Sequence, residues 1–160
     1  MGYDIVSLIP AFCAAFLGLS EFEGGGIVVW DQIDLATYDY SVASLEQVDL
    51  YLDAVREVKD QLEWQTYTNT VLATGAYIGE VIRRHGDKHW EWMNYADFAA
   101  KYPKLNSAMG MKEDLYSAAV LVGDGRTAIV PFNKVMRNLE EGPENNIHFY
   151  VTALGAGDSQ

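Results

Sequence analysis

The carboxylate best placed for chemistry in this sequence is Glu80, which interrupts an apolar run and is followed closely by two arginines. On a helix, residues three and four positions apart share a face, so Arg83 and Arg84 lie within reach of Glu80. We expect these three residues to form a structural ion pair, because no second acid–base group is nearby in sequence. The alternative is a catalytic carboxylate with a raised pKa, in a ligand pocket that also includes Trp90.

A second group of carboxylates could bind a basic partner. Residues 44–62 carry apolar side chains at helical spacing, and Ser44 and Gln47 have the spacing of a capping box, which together predict an amphipathic helix. At about 100° per residue, five acids fall within an arc of about 80°, opposite the apolar side chains. The five acids are Glu46, Asp49, Asp53, Glu57 and Asp60. Like charges four residues apart destabilise a helix by roughly 0.2–0.5 kcal/mol. The arc therefore indicates either a solvated face or a binding face for a positively charged partner.

Acidic residues are concentrated in the first part of the chain. The net charge is −12, and residues 1–64 hold 12 acids against two bases, whereas residues 65–160 hold 11 acids against nine. Such asymmetry indicates an interaction surface. The overall excess of acids argues against direct binding of nucleic acid phosphates, which needs clustered Lys and Arg. An acidic segment over residues 21–39 supplies further candidate partner contacts, namely Glu21, Glu23, Asp31 and Asp34.

Several other kinds of chemistry lack the residues they require. Cys13 is the only cysteine, which excludes an intrachain disulfide and a cysteine-rich zinc site. His85 and His89 lie four residues apart, but no third metal ligand accompanies them. The chain contains neither the Gly-x-Ser-x-Gly motif of serine hydrolases nor a phosphate-binding P-loop. We therefore expect no metal, no cofactor and no catalytic activity.

The apolar segment at residues 5–19 is about 15 residues long, whereas a membrane-spanning helix needs about 20. The four residues at the start of the chain carry an acid and no base, unlike a secretory signal. We expect a buried helix there, and a protein located in the cytoplasm without membrane contact.

These candidate sites depend on an architecture that can be predicted from periodicity and turn residues. The predicted helices cover residues 5–19, 44–62, 66–84, 97–102 and 133–140. The predicted strands cover residues 89–95, 116–122, 127–132 and 147–154, and residues 27–30 are predicted to be a short strand or an extended segment. This order predicts an α+β fold, in which N-terminal helices pack on a small, mostly antiparallel sheet. We expect residues 1–154 to form a single domain and residues 155–160 to be a flexible tail.

Two glycines within the predicted third helix point to close packing. Gly75 and Gly79 lie four residues apart, hence on one face, and each costs a helix about 1 kcal/mol relative to alanine. We expect another element to approach the helix closely along that face.

One stretch of the sequence resembles other proteins. Residues 39–45 read Asp-Tyr-Ser-Val-Ala-Ser-Leu, residues 75–84 read Gly-Ala-Tyr-Ile-Gly-Glu-Val-Ile-Arg-Arg, and Trp90 follows. This pattern resembles a loose group of small bacterial proteins of unknown function, over roughly residues 39–150. Proteins of this type occur as immunity proteins beside secreted toxins, and the resemblance implies such a role here.

Two functions from different classes follow. The first is a non-catalytic acidic binding protein, an immunity protein that neutralises a basic secreted toxin, such as a nuclease, by occluding its active site. The second is a small-molecule-binding protein or enzyme with a pocket around Glu80, Arg83 and Trp90. A homodimer with an aromatic interface is a further alternative.

Overall fold

The structure, a computed structural model, describes residues 4–19, 26–28 and 37–158. Within these residues the chain forms seven α-helices and one three-stranded antiparallel sheet. The predicted α+β class is therefore confirmed. The predicted placement of the helices is correct in part, because three helices precede the sheet and four lie between or after its strands.

The elements follow one another in this order: α1 (Ile9–Phe16), α2 (Leu45–Val58), α3 (Trp64–His85), β1 (Trp90–Asn94), α4 (Tyr95–Lys101), α5 (Pro103–Met109), β2 (Ala119–Gly123), β3 (Thr127–Ile129), α6 (Pro131–Glu141) and α7 (Ile147–Ala153). Short 3₁₀ turns precede α1, follow α2 and precede β2. The second and third predicted helices match α2 and α3 closely, because both have apolar residues at helical spacing over several turns.

The long helix α3 lies at the centre of the fold, with α1 and α6 packed against it. The glycines permit the close approach that their spacing predicts. A Cβ atom on Gly75 would lie 2.9 Å from the Cα atom of Phe132, at the start of α6, and one on Gly79 would meet the ring of Trp92. Alanine at position 75 would collide with backbone, which cannot rotate away as a side chain can.

The sheet has the strand order β1-β2-β3. Trp92 pairs with Leu121, and Val122 pairs with Ala128. Leu121 belongs to the main core around α3, whereas Val122 belongs to a smaller cluster with Phe98 of α4, so both faces of the sheet are covered. The hairpin between β2 and β3 turns at two residues with positive φ, as a type I′ turn requires.

One predicted strand is a helix. The sequence predicts a β-strand over residues 147–154, but the helix α7 occupies Ile147–Ala153. The Asn146 side chain accepts a hydrogen bond from the backbone N–H of Phe149, and Asp49 of α2 accepts two more from the first turn of α7. These acceptors stabilise a helix start in a segment whose aromatic and β-branched residues favour a strand.

Other local predictions need smaller corrections. Of the predicted short strand or extended segment at residues 27–30, Ile27 and Val28 form no strand, and residues 29 and 30 lie outside the described residues. The last predicted hairpin strand ends at Ile129, because Pro131 begins α6. The predicted capping box does not form, since the Ser44 hydroxyl donates to the Ser41 carbonyl oxygen rather than capping α2.

The end of the chain is attached to the domain as far as the structure describes it. The Asp158 carboxylate accepts hydrogen bonds from the backbone N–H groups of Val42 and Ala43, at 2.6 and 3.1 Å. The Gly157 N–H donates to the carbonyl oxygen of His85 at 3.3 Å. Residues 159 and 160 lie outside the described part, and the flexibility of the tail from residue 155 stays a prediction.

Candidate functional site

The acidic face predicted on α2 is present, with four of its five acids exposed. Glu46, Asp53 and Glu57 lie on the solvent side of α2, and Asp60 lies in the 3₁₀ turn Lys59–Gln61 that follows. The Glu46 side chain is 69% exposed and that of Asp60 is 93% exposed. These four carboxylates, called the acidic face below, are accessible to a partner.

Asp49 does not belong to the acidic face, contrary to the prediction. It is buried, and its Oδ1 and Oδ2 atoms accept hydrogen bonds from the N–H groups of Ile147 and His148, at 2.7 and 3.0 Å. Burial raises the pKa of Asp49 above its ordinary value, and these two hydrogen bonds offset only part of that effect. Asp49 therefore holds α7 against α2 and is not available to a partner.

The two bases of this region are turned away from solvent. The Arg56 side chain is 20% exposed, and its guanidinium donates to the backbone and side-chain oxygens of Asn138 in α6 as well as to Asp53. The Lys59 side chain is 21% exposed, with its Nζ atom 3.4 Å from Glu140 of α6 and 3.3 Å from Asp60. The exposed side therefore displays carboxylates while its positive charges lie against α6.

The structure adds a histidine beside the acidic face and two exposed apolar side chains that the sequence prediction missed. His148 brings its Nε2 atom to 3.9 Å from a Glu46 carboxylate oxygen. Phe149 is 72% exposed, and Leu50, on the solvent side of α2, is 47% exposed. The local signal for α7 was Asn146, a preferred N-cap residue that also fits a turn.

The other predicted partner contacts were Glu21, Glu23, Asp31 and Asp34. All four lie outside the described residues, so their part in an interaction stays a prediction.

The structure brings the predicted ion pair together and adds one residue to it. The Arg83 guanidinium donates to both Glu80 oxygens, at 2.7 and 2.9 Å, and the indole N–H of Trp92 donates to Oε2 at 2.9 Å. Arg84 lies 3.8 Å from Oε1, with its guanidinium carbon 3.7 Å from the centroid of the Tyr40 ring. This cluster links α3 to β1 and to the segment before α2.

These contacts do not set up Glu80 as a general acid. Burial alone would raise the pKa of Glu80, but the hydrogen bonds from Arg83 and Trp92 and the charges of the two arginines outweigh it, so the pKa is lowered. A general acid would need the opposite shift. Trp90 packs its ring against Gly86 and Gly123, and it is Trp92 that contacts Glu80.

The thiol of Cys13 is shielded from solvent. Cys13 is buried in α1, and burial, followed by the negative charge of Glu80, raises the pKa of its thiol to about 12. The thiol is therefore protonated at neutral pH, whereas a reactive cysteine needs the thiolate. Among the described residues, no three His, Cys, Asp or Glu side chains come together as a set of metal ligands.

The helices of the described residues include none with the length and apolar character needed to cross a membrane. Comparison with known protein families, with characterised proteins and with solved structures finds no match to this chain.

Proposed function

We propose that this chain is a non-catalytic acidic binding protein, a bacterial immunity protein that acts in the cytoplasm against a secreted toxin. The observation that carries the proposal is the orientation of charge on α2. The acidic face points to solvent, while Arg56 and Lys59 are about one-fifth exposed and lie at its edge, paired with Asp53 and Asp60. Its partner is a protein with a basic active-site cleft, of the kind that nucleases use to hold phosphates.

Charge complementarity gives this surface a physical role. A basic cleft attracts carboxylates over a distance comparable to the Debye length, about 8 Å at physiological salt, which speeds association. Once bound, the acidic face occupies the positions that phosphates would take, so the toxin's substrate is excluded. This arrangement of charge lowers the stability of α2, because Asp53 and Glu57 repel each other across one turn.

The first experiment uses the protein as bait in extracts of its native source, washed at low and at high salt. The test variant is Glu46→Lys/Glu57→Lys, which leaves Asp49 and the Asp53–Arg56 pair intact. The matched control is Glu91→Lys/Asp97→Lys, which changes the net charge equally but replaces exposed acids of β1 and α4. We expect wild type and control to retain one basic protein at low salt only, and the test variant to lose it.

Capture of no basic protein, or equal capture by the test variant, contradicts the proposal. The captured protein is then expressed alone, where it should arrest growth, and with this chain, which should restore growth. The test variant should restore growth poorly. If the captured protein is harmless, the immunity role is wrong even though the binding surface is correctly assigned.

A further inference from the structure

Phe149 is the most exposed aromatic side chain in the part of the chain that the structure describes. It lies in α7, on the side opposite the buried residues Ile147 and Val151. Exposed aromatic side chains are unfavourable in water, but they are enriched among the residues that contribute most to protein interfaces. Phe149 is therefore a candidate anchor for a partner.

The position of Phe149 is fixed relative to α2. Asp49 accepts hydrogen bonds from the first two N–H groups of α7, and Asn146 accepts one from the N–H of Phe149 itself at 2.8 Å. His148 lies beside Glu46. Phe149 thus directly follows a residue that contacts the acidic face, in a helix that is already formed, which lowers the entropy lost on binding.

The combination of an aromatic ring with carboxylates selects among basic partners. A guanidinium is planar, stacks on aromatic rings and donates paired hydrogen bonds to carboxylates, whereas the ammonium group of lysine is a strongly hydrated point charge. The same chemistry occurs within this protein, where Arg84 stacks on Tyr40 while lying near Glu80.

We propose that the surface formed by α2 and α7 recognises an arginine-rich protein surface. Phe149 stacks on one guanidinium of the partner, while Glu46, Asp53 and Glu57 accept hydrogen bonds from its other arginines. This inference rests on the proposed function and adds the identity of the basic residue that the surface prefers.

The test uses two fluorescein-labelled probes, nona-arginine and nona-lysine, which carry equal side-chain charge. Binding is followed by fluorescence anisotropy at low ionic strength. We expect wild-type protein to bind nona-arginine about two- to fivefold more tightly than nona-lysine, which is the effect of one exposed cation–π contact.

The variants Phe149→Ala and Phe149→Leu separate stacking from apolar bulk. Both should lower the affinity for nona-arginine to that for nona-lysine while leaving nona-lysine binding unchanged, because leucine keeps apolar volume without an aromatic face. The control Met109→Ala removes an exposed apolar side chain from α5 and should change neither affinity. Circular dichroism checks that each variant is folded.

The outcomes distinguish this inference from the proposed function. Equal wild-type affinities for the two peptides, or a preference for arginine that survives Phe149→Leu, overturn the role of Phe149. The variant Glu46→Lys/Glu57→Lys should bind both peptides more weakly than wild type, while Glu91→Lys/Asp97→Lys should bind them as wild type does. If those two double variants have equal affinities for the peptides, or if wild type binds neither peptide, the acidic face itself is wrongly assigned.

Discussion

At the scale of single residues, Asp49 shows that a carboxylate can sit among surface acids in sequence and still be structural. Its two oxygens accept the N–H groups of Ile147 and His148. We predict that Asp49→Ala lowers the free energy of unfolding by about 2 kcal/mol, because two N–H groups lose their partner. Asp49→Asn keeps one oxygen acceptor and should lose about half as much. Urea denaturation followed by circular dichroism measures both.

A matched control is Asp53→Ala, since Asp53 is exposed and pairs only with Arg56 among the contacts described. It should change stability far less than Asp49→Ala. Equal losses at the two positions would mean that Asp49 does not hold α7.

The Glu80 cluster predicts a pH-dependent contribution to stability. Because the pKa of Glu80 lies below its ordinary value of 4.5, the folded protein holds the carboxylate ionised at pH values where the unfolded chain takes up a proton. The stabilisation is therefore complete above about pH 4.5 and is lost as the pH falls further. We expect Glu80→Gln to cost about 1 kcal/mol at pH 7 and progressively less below pH 4.5.

Urea unfolding of wild type and Glu80→Gln between pH 7 and pH 3.5 tests this expectation. A difference in stability that does not change with pH would show that ionisation of Glu80 contributes nothing. An increase in the difference as the pH falls would mean that the pKa of Glu80 is raised, as a catalytic acid would require.

At the scale of elements, the contact between α3 and α6 depends on Gly75. Alanine normally stabilises a helix by about 1 kcal/mol relative to glycine. At this position its Cβ atom would lie 2.9 Å from the Cα atom of Phe132, and overpacking of that kind costs about 1–3 kcal/mol. We predict that Gly75→Ala destabilises the protein by about 2 kcal/mol, measured by urea denaturation.

Gly157→Ala is the matched control, because a Cβ atom there meets nothing within 4 Å and its backbone has no positive φ. It should leave stability nearly unchanged. If Gly75→Ala instead raised stability, α6 would not approach α3 as closely as the structure has it.

Elements with a strong internal signal could be predicted from the sequence. Helices α2 and α3 repeat apolar residues over several turns, and the hairpin has glycine and aspartate where its turn needs positive φ. Helix α7 could not be predicted in the same way. Its seven residues include aromatic and β-branched side chains that favour a strand, and one of its two capping side chains is Asp49, 98 residues earlier in the chain.

The candidate site could likewise be predicted only in part. A helical wheel assigns Glu46, Asp53 and Glu57 to the side of α2 opposite the core, and these residues are exposed. It assigns Asp49 to the edge of the same arc, but it contains no information on which neighbour covers that edge. The sequence alone also does not identify Phe149 as a site residue, because its position relative to the acids depends on where α7 packs.

At the scale of the whole molecule, the charge that suits a basic partner also opposes folding. With a net charge of −12, the compact protein brings like charges together, and added salt screens their repulsion. Salt should therefore have opposite effects on folding and on binding, since it weakens attraction to a basic partner by the same screening. The Glu80 side chain is 12% exposed, so its attraction to Arg83 is screened less than the repulsion among the exposed acids.

We predict that raising the ionic strength from about 10 to about 300 mM increases the melting temperature by about 2–4 °C, the shift that about 1 kcal/mol produces in a domain of this size. Calorimetry measures it. The variant Glu57→Lys should melt higher than wild type at low salt and respond less to salt, because lysine removes the repulsion with Asp53 one turn earlier. The same variant should bind a basic partner more weakly. If Glu57→Lys lowered the melting temperature at low salt, the acidic face would be there for stability and not for binding.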